Sequence, residues 1–100
     1  MAVSKTGAEH LASLRDGRTV YIDGMIVPDV TEHSAFRKSV ASAAYLYDFQ
    51  TAPENVEFMT FAPDHANRRI NRAWQIPKSH AEMTSRRKAL TAWAECSYGF

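Results

Sequence analysis

Four histidines, one cysteine and several aspartates are the residues of this chain that could do chemistry. A protein-held transition metal needs His, Cys, Asp or Glu clustered at spacings such as C-x-x-C or H-x-x-x-H. His10, His33, His65 and His80 stand singly, on different predicted elements, and none pairs locally with a cysteine. Surface or capping positions account for them, and His33 and His80 both fall at predicted helix starts. Cys96 would be a nucleophile only with a histidine base and an orienting group beside it. Its place on the stripe side of the last helix predicts a small buried hydrophobe instead. Phosphate cradles need glycine-rich loops, whereas Gly7, Gly17, Gly24 and Gly99 are dispersed and each has a local backbone role. The sequence has no G-x-S-x-G elbow and no convincing carboxylate pair. Asp16, Asp23, Asp29 and Asp48 occur beside turns or helix ends, where aspartate bonds nearby backbone. No catalytic, cofactor-binding, substrate-binding or metal-ligating residue is therefore assigned to any position.

The composition bounds the partners. Twelve basic residues against eleven acidic ones leave a formal net charge of +1. That balance gives no electrostatic reason to expect nucleic acid or an anionic membrane. The short basic runs, Arg68-Arg69 with Arg72 and Arg86-Arg87-Lys88, read as solvated faces. A single cysteine rules out an internal disulfide and suggests a reducing compartment. No apolar run approaches the roughly 20 residues needed to cross a bilayer, and the first residues lack the apolar stretch of a secretory signal. A cytoplasmic location is expected. At 100 residues and 45% apolar content, the chain suits one globular unit with a modest core.

The elements that must position these residues are marked unevenly. Thr6-Gly7-Ala8-Glu9 has the spacing of a capping box, and an apolar stripe of Ala8, Leu11, Ala12 and Leu14 follows before Gly17. The pattern predicts a helix over 7–16. Val20-Tyr21-Ile22 and Met25-Ile26-Val27 flank Asp23-Gly24, the dipeptide of a hairpin turn, which predicts a hairpin over 19–27. Pro28 ends it. Phe36, Val40, Ala43, Ala44 and Tyr47 recur at helical spacing, with Thr31 or Ser34 as cap, predicting a helix over 34–50. On that helix Tyr47 faces the core while Tyr45 and Phe49 flank it. The run Ala41-Ser42-Ala43-Ala44 would let another element approach closely. Residues 56–61 and 69–74 are read as two possible strands, with Ile70 and Trp74 facing inward. Ser79-His80-Ala81-Glu82 is a second capping box, opening a helix over 79–97 whose stripe is Met83, Leu90, Trp93 and Ser97, with Ala89 and Ala94 beside them. Phe36 and Trp93 are core by default. The final Tyr98-Gly99-Phe100 reads as a helix turning into a further element, so a truncated chain is expected.

Taken in order, these local patterns resemble one family. Thr6 to Arg18, then Val20-Tyr21-Ile22-Asp23-Gly24 and Val30-Thr31-Glu32-His33-Ser34-Ala35-Phe36-Arg37, are similar to the opening of the 4-hydroxyphenylacetate 3-monooxygenase large (oxygenase) component family. Leu46-Tyr47-Asp48, Ile76-Pro77-Lys78-Ser79 and Trp93-Ala94-Glu95, leading into Tyr98-Gly99-Phe100, continue the resemblance over essentially the whole chain. The family usually has proline where Ser34 stands, and serine caps a helix as well.

The resemblance implies a mainly α fold with a small β-hairpin or strand element: residues 1–100 as a truncated amino-terminal helical domain of an acyl-CoA-dehydrogenase-like fold. It implies a two-component aromatic monooxygenase, in which a separate flavin reductase supplies reduced FAD and a phenolic substrate is hydroxylated ortho to its hydroxyl with O2. It also implies a homo-tetramer in the full-length protein. The family's first substrate motif, of the Gly-Arg-x-Pro-Asp type, follows a segment like Tyr98-Gly99-Phe100, so no family site residue is transferred here. No FAD is expected on this piece, which is expected to be inactive alone. Two other readings are an amino-terminal part of a 4-hydroxybutyryl-CoA dehydratase-like FAD/iron–sulfur enzyme, and a free-standing, non-enzymatic helical interaction domain.

Overall fold

A computed structural model describes residues 4–99. Helix α1 covers Gly7–Ser13. Its capping box closes both ways: Glu9 N–H donates to Thr6 Oγ1 at 3.2 Å and Thr6 N–H to the Glu9 carboxylate at 3.1 Å. The helix stops before residue 16 because the Leu14 and Arg15 amides turn back to Leu11 and Ala12, and Asp16 then accepts from both the backbone and the guanidinium of Arg18.

Strands β1 (Val20–Ile22) and β2 (Met25–Val27) pair antiparallel, with Val20 opposite Val27 and Ile22 opposite Met25. The turn residues Asp23 (φ 50°) and Gly24 (φ 76°) both take the left-handed conformation that the Asp-Gly pair was expected to supply. Val27 is buried, while Tyr21, Met25 and Ile26 are exposed.

Helix α2 covers Arg37–Thr51, three residues later than expected. Asp29 explains the delay. Its carboxylate accepts from the amide and hydroxyl of Thr31 at 2.9 and 2.7 Å, and its carbonyl accepts from the Glu32 and His33 amides. His33 Nδ1 then takes the Ala35 amide at 3.1 Å. Turn bonds thus occupy the backbone through Ala35, and neither Thr31 nor Ser34 caps the helix, whose N-cap Phe36 has no side-chain bond.

The expected strand over 56–61 is corrected. Val56–Met59 is a one-turn helix, α3, and only Thr60–Phe61 extends as β3. The Asn55 and Val56 amides both donate to the Ala52 carbonyl, so the chain stays coiled after Pro53. The expected strand over 69–74 is likewise reduced to Ile70–Asn71 (β4), paired antiparallel to β3, followed by a 3₁₀ turn at Arg72–Trp74. The Asn71 side chain accepts from the Ala73 amide at 2.8 Å and bends the chain out of the ladder. Trp74 consequently points outward, 75% exposed.

Helix α4 spans His80–Cys96 with Ser79 as N-cap, its Oγ accepting from Glu82 N–H at 3.1 Å. The Glu82 carboxylate reaches the Lys78 amide rather than that of Ser79, so the second box is open. The predicted stripe is also corrected. Met83 and Leu90 are exposed and Ala89 is fully buried. The small Ala89 side chain lets α4 lie close to α3 and the 3₁₀ turn, where Arg86 donates to the Ala73 carbonyl at 3.2 Å.

The buried apolar core among the described residues is Val27, Ala44, Met59 and Ala89. A buried polar seam supplements it. Asn71 donates to Gln50 at 2.7 Å, Arg69 donates to both oxygens of Thr60, and Ser4 shares a hydrogen with Thr51 at 3.2 Å. Such satisfied pairs fix geometry where apolar volume is short.

Candidate functional site

The histidines remain apart. His10 lies between α1 and α2 with its ring stacked on Tyr47, centroids 4.5 Å apart. His33 is bound to its own turn, and His65 and His80 are exposed. Among the described residues no group of three or more His, Cys, Asp or Glu side chains could hold a metal ion.

Perturbed ionisation sits on structural pairs. Burial, with Lys5 next, holds the His10 imidazole below its ordinary pKa. The Asp29 carboxyl is lowered first by the hydroxyl and amide of Thr31 and then by Arg15, which donates to it at 3.1 Å. Glu9 is lowered by the Thr6 amide and by Arg68 at 2.8 Å. Burial lowers Arg72, helped by the neighbouring charge of Arg69. Its guanidinium donates to the carbonyls of Phe58 and Glu57 and to the side-chain oxygen of Gln75, which leaves its donors engaged within the fold.

Open grooves cross the surface of the described residues. The largest, about 790 Å³, runs between α2 and the end of α4. Ala41, Ser42, Ala43, Tyr45 and Tyr98 line it, and Cys96 lines it half-exposed. The expectation of a buried Cys96 is thus corrected: the small-residue run of α2 keeps space beside it instead of being filled. The groove presents hydroxyls and apolar surface with no Lys, Arg, Asp, Glu or His in its lining. It suits an apolar or aromatic surface and lacks an acid, a base or an anion-binding cation. A second groove of about 440 Å³ runs beneath Trp74 and Ile76, and a third of about 460 Å³ runs along the outer face of α4, past Met83 and Leu90. Phe100, the last residue of the expected aromatic–Gly–aromatic ending, lies outside the described residues.

This helix-rich arrangement with two small antiparallel sheets is shared by a solved structure. The oxygenase component of 4-hydroxyphenylacetate 3-monooxygenase, crystallised with FAD and 4-hydroxyphenylacetate, superposes with a TM-score of 0.81 at 31% identity, covering 92% of this chain and 19% of that one. The family model described as 4-hydroxyphenylacetate 3-hydroxylase N terminal matches residues 6–100, and the chain belongs to that family. The 4-hydroxyphenylacetate 3-monooxygenase oxygenase component of Pseudomonas aeruginosa is 40% identical over 96 residues, 95% of this chain and 18% of its own length. The 4-nitrophenol 2-monooxygenase oxygenase component of a Rhodococcus species is 38% identical over the same number of residues, again 18% of its length. The chain therefore spans about a fifth of the relatives it matches.

Proposed function

We propose that this chain serves as the amino-terminal segment of the oxygenase component of a two-component, FAD-dependent phenol monooxygenase. The parent enzyme would hydroxylate a phenolic substrate ortho to its hydroxyl with O2. The observation that carries this reading is the superposition over 92% of the chain on an oxygenase component crystallised with both FAD and a phenol. The same likeness favours it over the dehydratase-like and free-standing readings. Relatives named for 4-hydroxyphenylacetate and for 4-nitrophenol are almost equally similar over this segment, which supports placing substrate choice elsewhere in the enzyme.

The segment acts as scaffold. Its largest groove has no cation to meet a pyrophosphate and no base to take a phenolic proton, so that groove does not fit FAD. Its exposed faces, Trp74 and Ile76 on one side and Met83 and Leu90 on another, are the surfaces it offers to the rest of the oxygenase. The parent would draw reduced FAD from a separate flavin reductase and assemble as a homo-tetramer in the cytoplasm. No helix among the described residues is long and apolar enough to cross a membrane.

A chimera tests this. Residues 1–100 replace the matching segment of the Pseudomonas aeruginosa oxygenase component, and hydroxylation is assayed with a flavin reductase. Retained hydroxylation of 4-hydroxyphenylacetate is expected. A soluble, FAD-binding chimera without hydroxylase activity would contradict the proposal.

A further inference from the structure

Helix α1 is seven residues long, far too short to persist in water without a partner. Its partner is α2, met at two points. Gly7 N–H donates to Asp48 Oδ1 at 2.8 Å, and one turn later the His10 ring stacks on Tyr47 with an interplanar angle of 26°. His10 Nδ1 is buried there without a hydrogen-bond partner. Lys5 already places its ammonium 5.6 Å from the same Tyr47 ring.

We infer that α1 is a pH-gated latch, in which protonation of His10 loosens the α1–α2 contact. The neutral ring, with its proton on Nε2, leaves only a lone pair at Nδ1. The imidazolium must bury an N–H there with no acceptor, beside the existing Lys5 charge. The Tyr47 face would favour a cation, but Lys5 occupies that environment already. The other charged groups around the contact do not relieve it. On α1 the Glu9 carboxylate is bound to the Thr6 amide and to Arg68, and on α2 Asp48 is bound to Gly7. Arg68, from the segment before β4, also donates to the Ser4 carbonyl, so it is tied to the same end of the chain. Movement of α1 would therefore disturb the Glu9–Arg68 pair as well.

Burial and Lys5 lower the folded-state pKa of His10, which fixes the sign. The stabilisation is complete above the ordinary histidine value of about 6.5 and is lost as pH falls from there through the lower folded value.

The test is NMR on the full chain of 100 residues, titrated across the histidine range. It reads the His10 ring shifts and amide exchange corrected for intrinsic rates. His10 should titrate below the ordinary value, and protection over Gly7–Ser13 should fall several-fold in the same step while that of α4 holds. His10→Phe keeps a stacking ring and should abolish the step. Lys5→Gln, which leaves the stack intact, should move the His10 midpoint upward and provides the test should His10→Phe fail to fold. A His10 midpoint at or above the ordinary value overturns the inference. So does α1 protection that ignores His10 titration, or an unchanged step in His10→Phe.

Discussion

At the scale of single residues, the tightest constraint falls on Gly7. A Cβ built there would lie 2.5 Å from the Ala44 carbonyl oxygen and 2.6 Å from Asp48 Oδ2. The first of these atoms is backbone and cannot swing away, and moving the second would drag the Asp48 carboxylate whose other oxygen, Oδ1, holds the Gly7 amide. Gly7→Ala should therefore cost about 1–3 kcal/mol, the usual range for overpacking, measured as a fall in the urea midpoint at unchanged m-value. The sequence marks Gly7 only as part of a capping box. Nothing in local spacing reveals that its missing side chain admits α2. Cys96 and Trp74 show the same limit: whether a helix or strand residue is covered depends on neighbours that periodicity does not name. Reactive types scattered singly leave no ligand or nucleophile spacing in the sequence, which is why it assigns no site residue.

At the scale of elements, what is encoded locally was readable and what depends on tertiary partners was not. The Asp23-Gly24 hairpin and the starts of α1 and α4 are set by hydrogen bonds within four residues or by backbone conformation at two. The late start of α2 depends on Asp29, whose side chain bonds Thr31 and pairs with Arg15 from fourteen residues earlier. Residues 56–61 are rich in β-prone types, yet the carbonyl of Ala52 captures the Asn55 and Val56 amides and coils their first turn. Asn71 is the main junction between elements. It donates to Gln50 on α2, accepts from Ala73 to set the 3₁₀ turn, and pairs with Thr60 across the ladder. Asn71→Ala would leave the buried Gln50 carbonyl oxygen unpaired, and should cost about 1–3 kcal/mol. Thermal unfolding checks the loss, and Gln50→Leu in the same background should recover part of it, since the stranded polar group is then gone.

At the scale of the whole molecule, the surface is large for its mass. The accessible area is 7113 Å² for 11.3 kDa, where a compact monomer of that size exposes about 5,700 Å². The radius of gyration is 15.7 Å, against about 13 Å for a compact 100-residue domain. Exposed Tyr21, Ile26, Trp74, Ile76 and Met83 account for this in chemical terms. A shape of this kind fits a scaffold whose apolar faces are covered by further protein, in keeping with the place proposed for the chain as one segment of an oxygenase. The most direct measurement of that claim is titration of the purified chain with a fluorescent apolar-surface dye at neutral pH, alongside sedimentation. The account predicts strong dye fluorescence or concentration-dependent association, with the dye signal suppressed when the same residues are built into the oxygenase chimera. A monodisperse, cooperatively melting chain that binds no dye would contradict it.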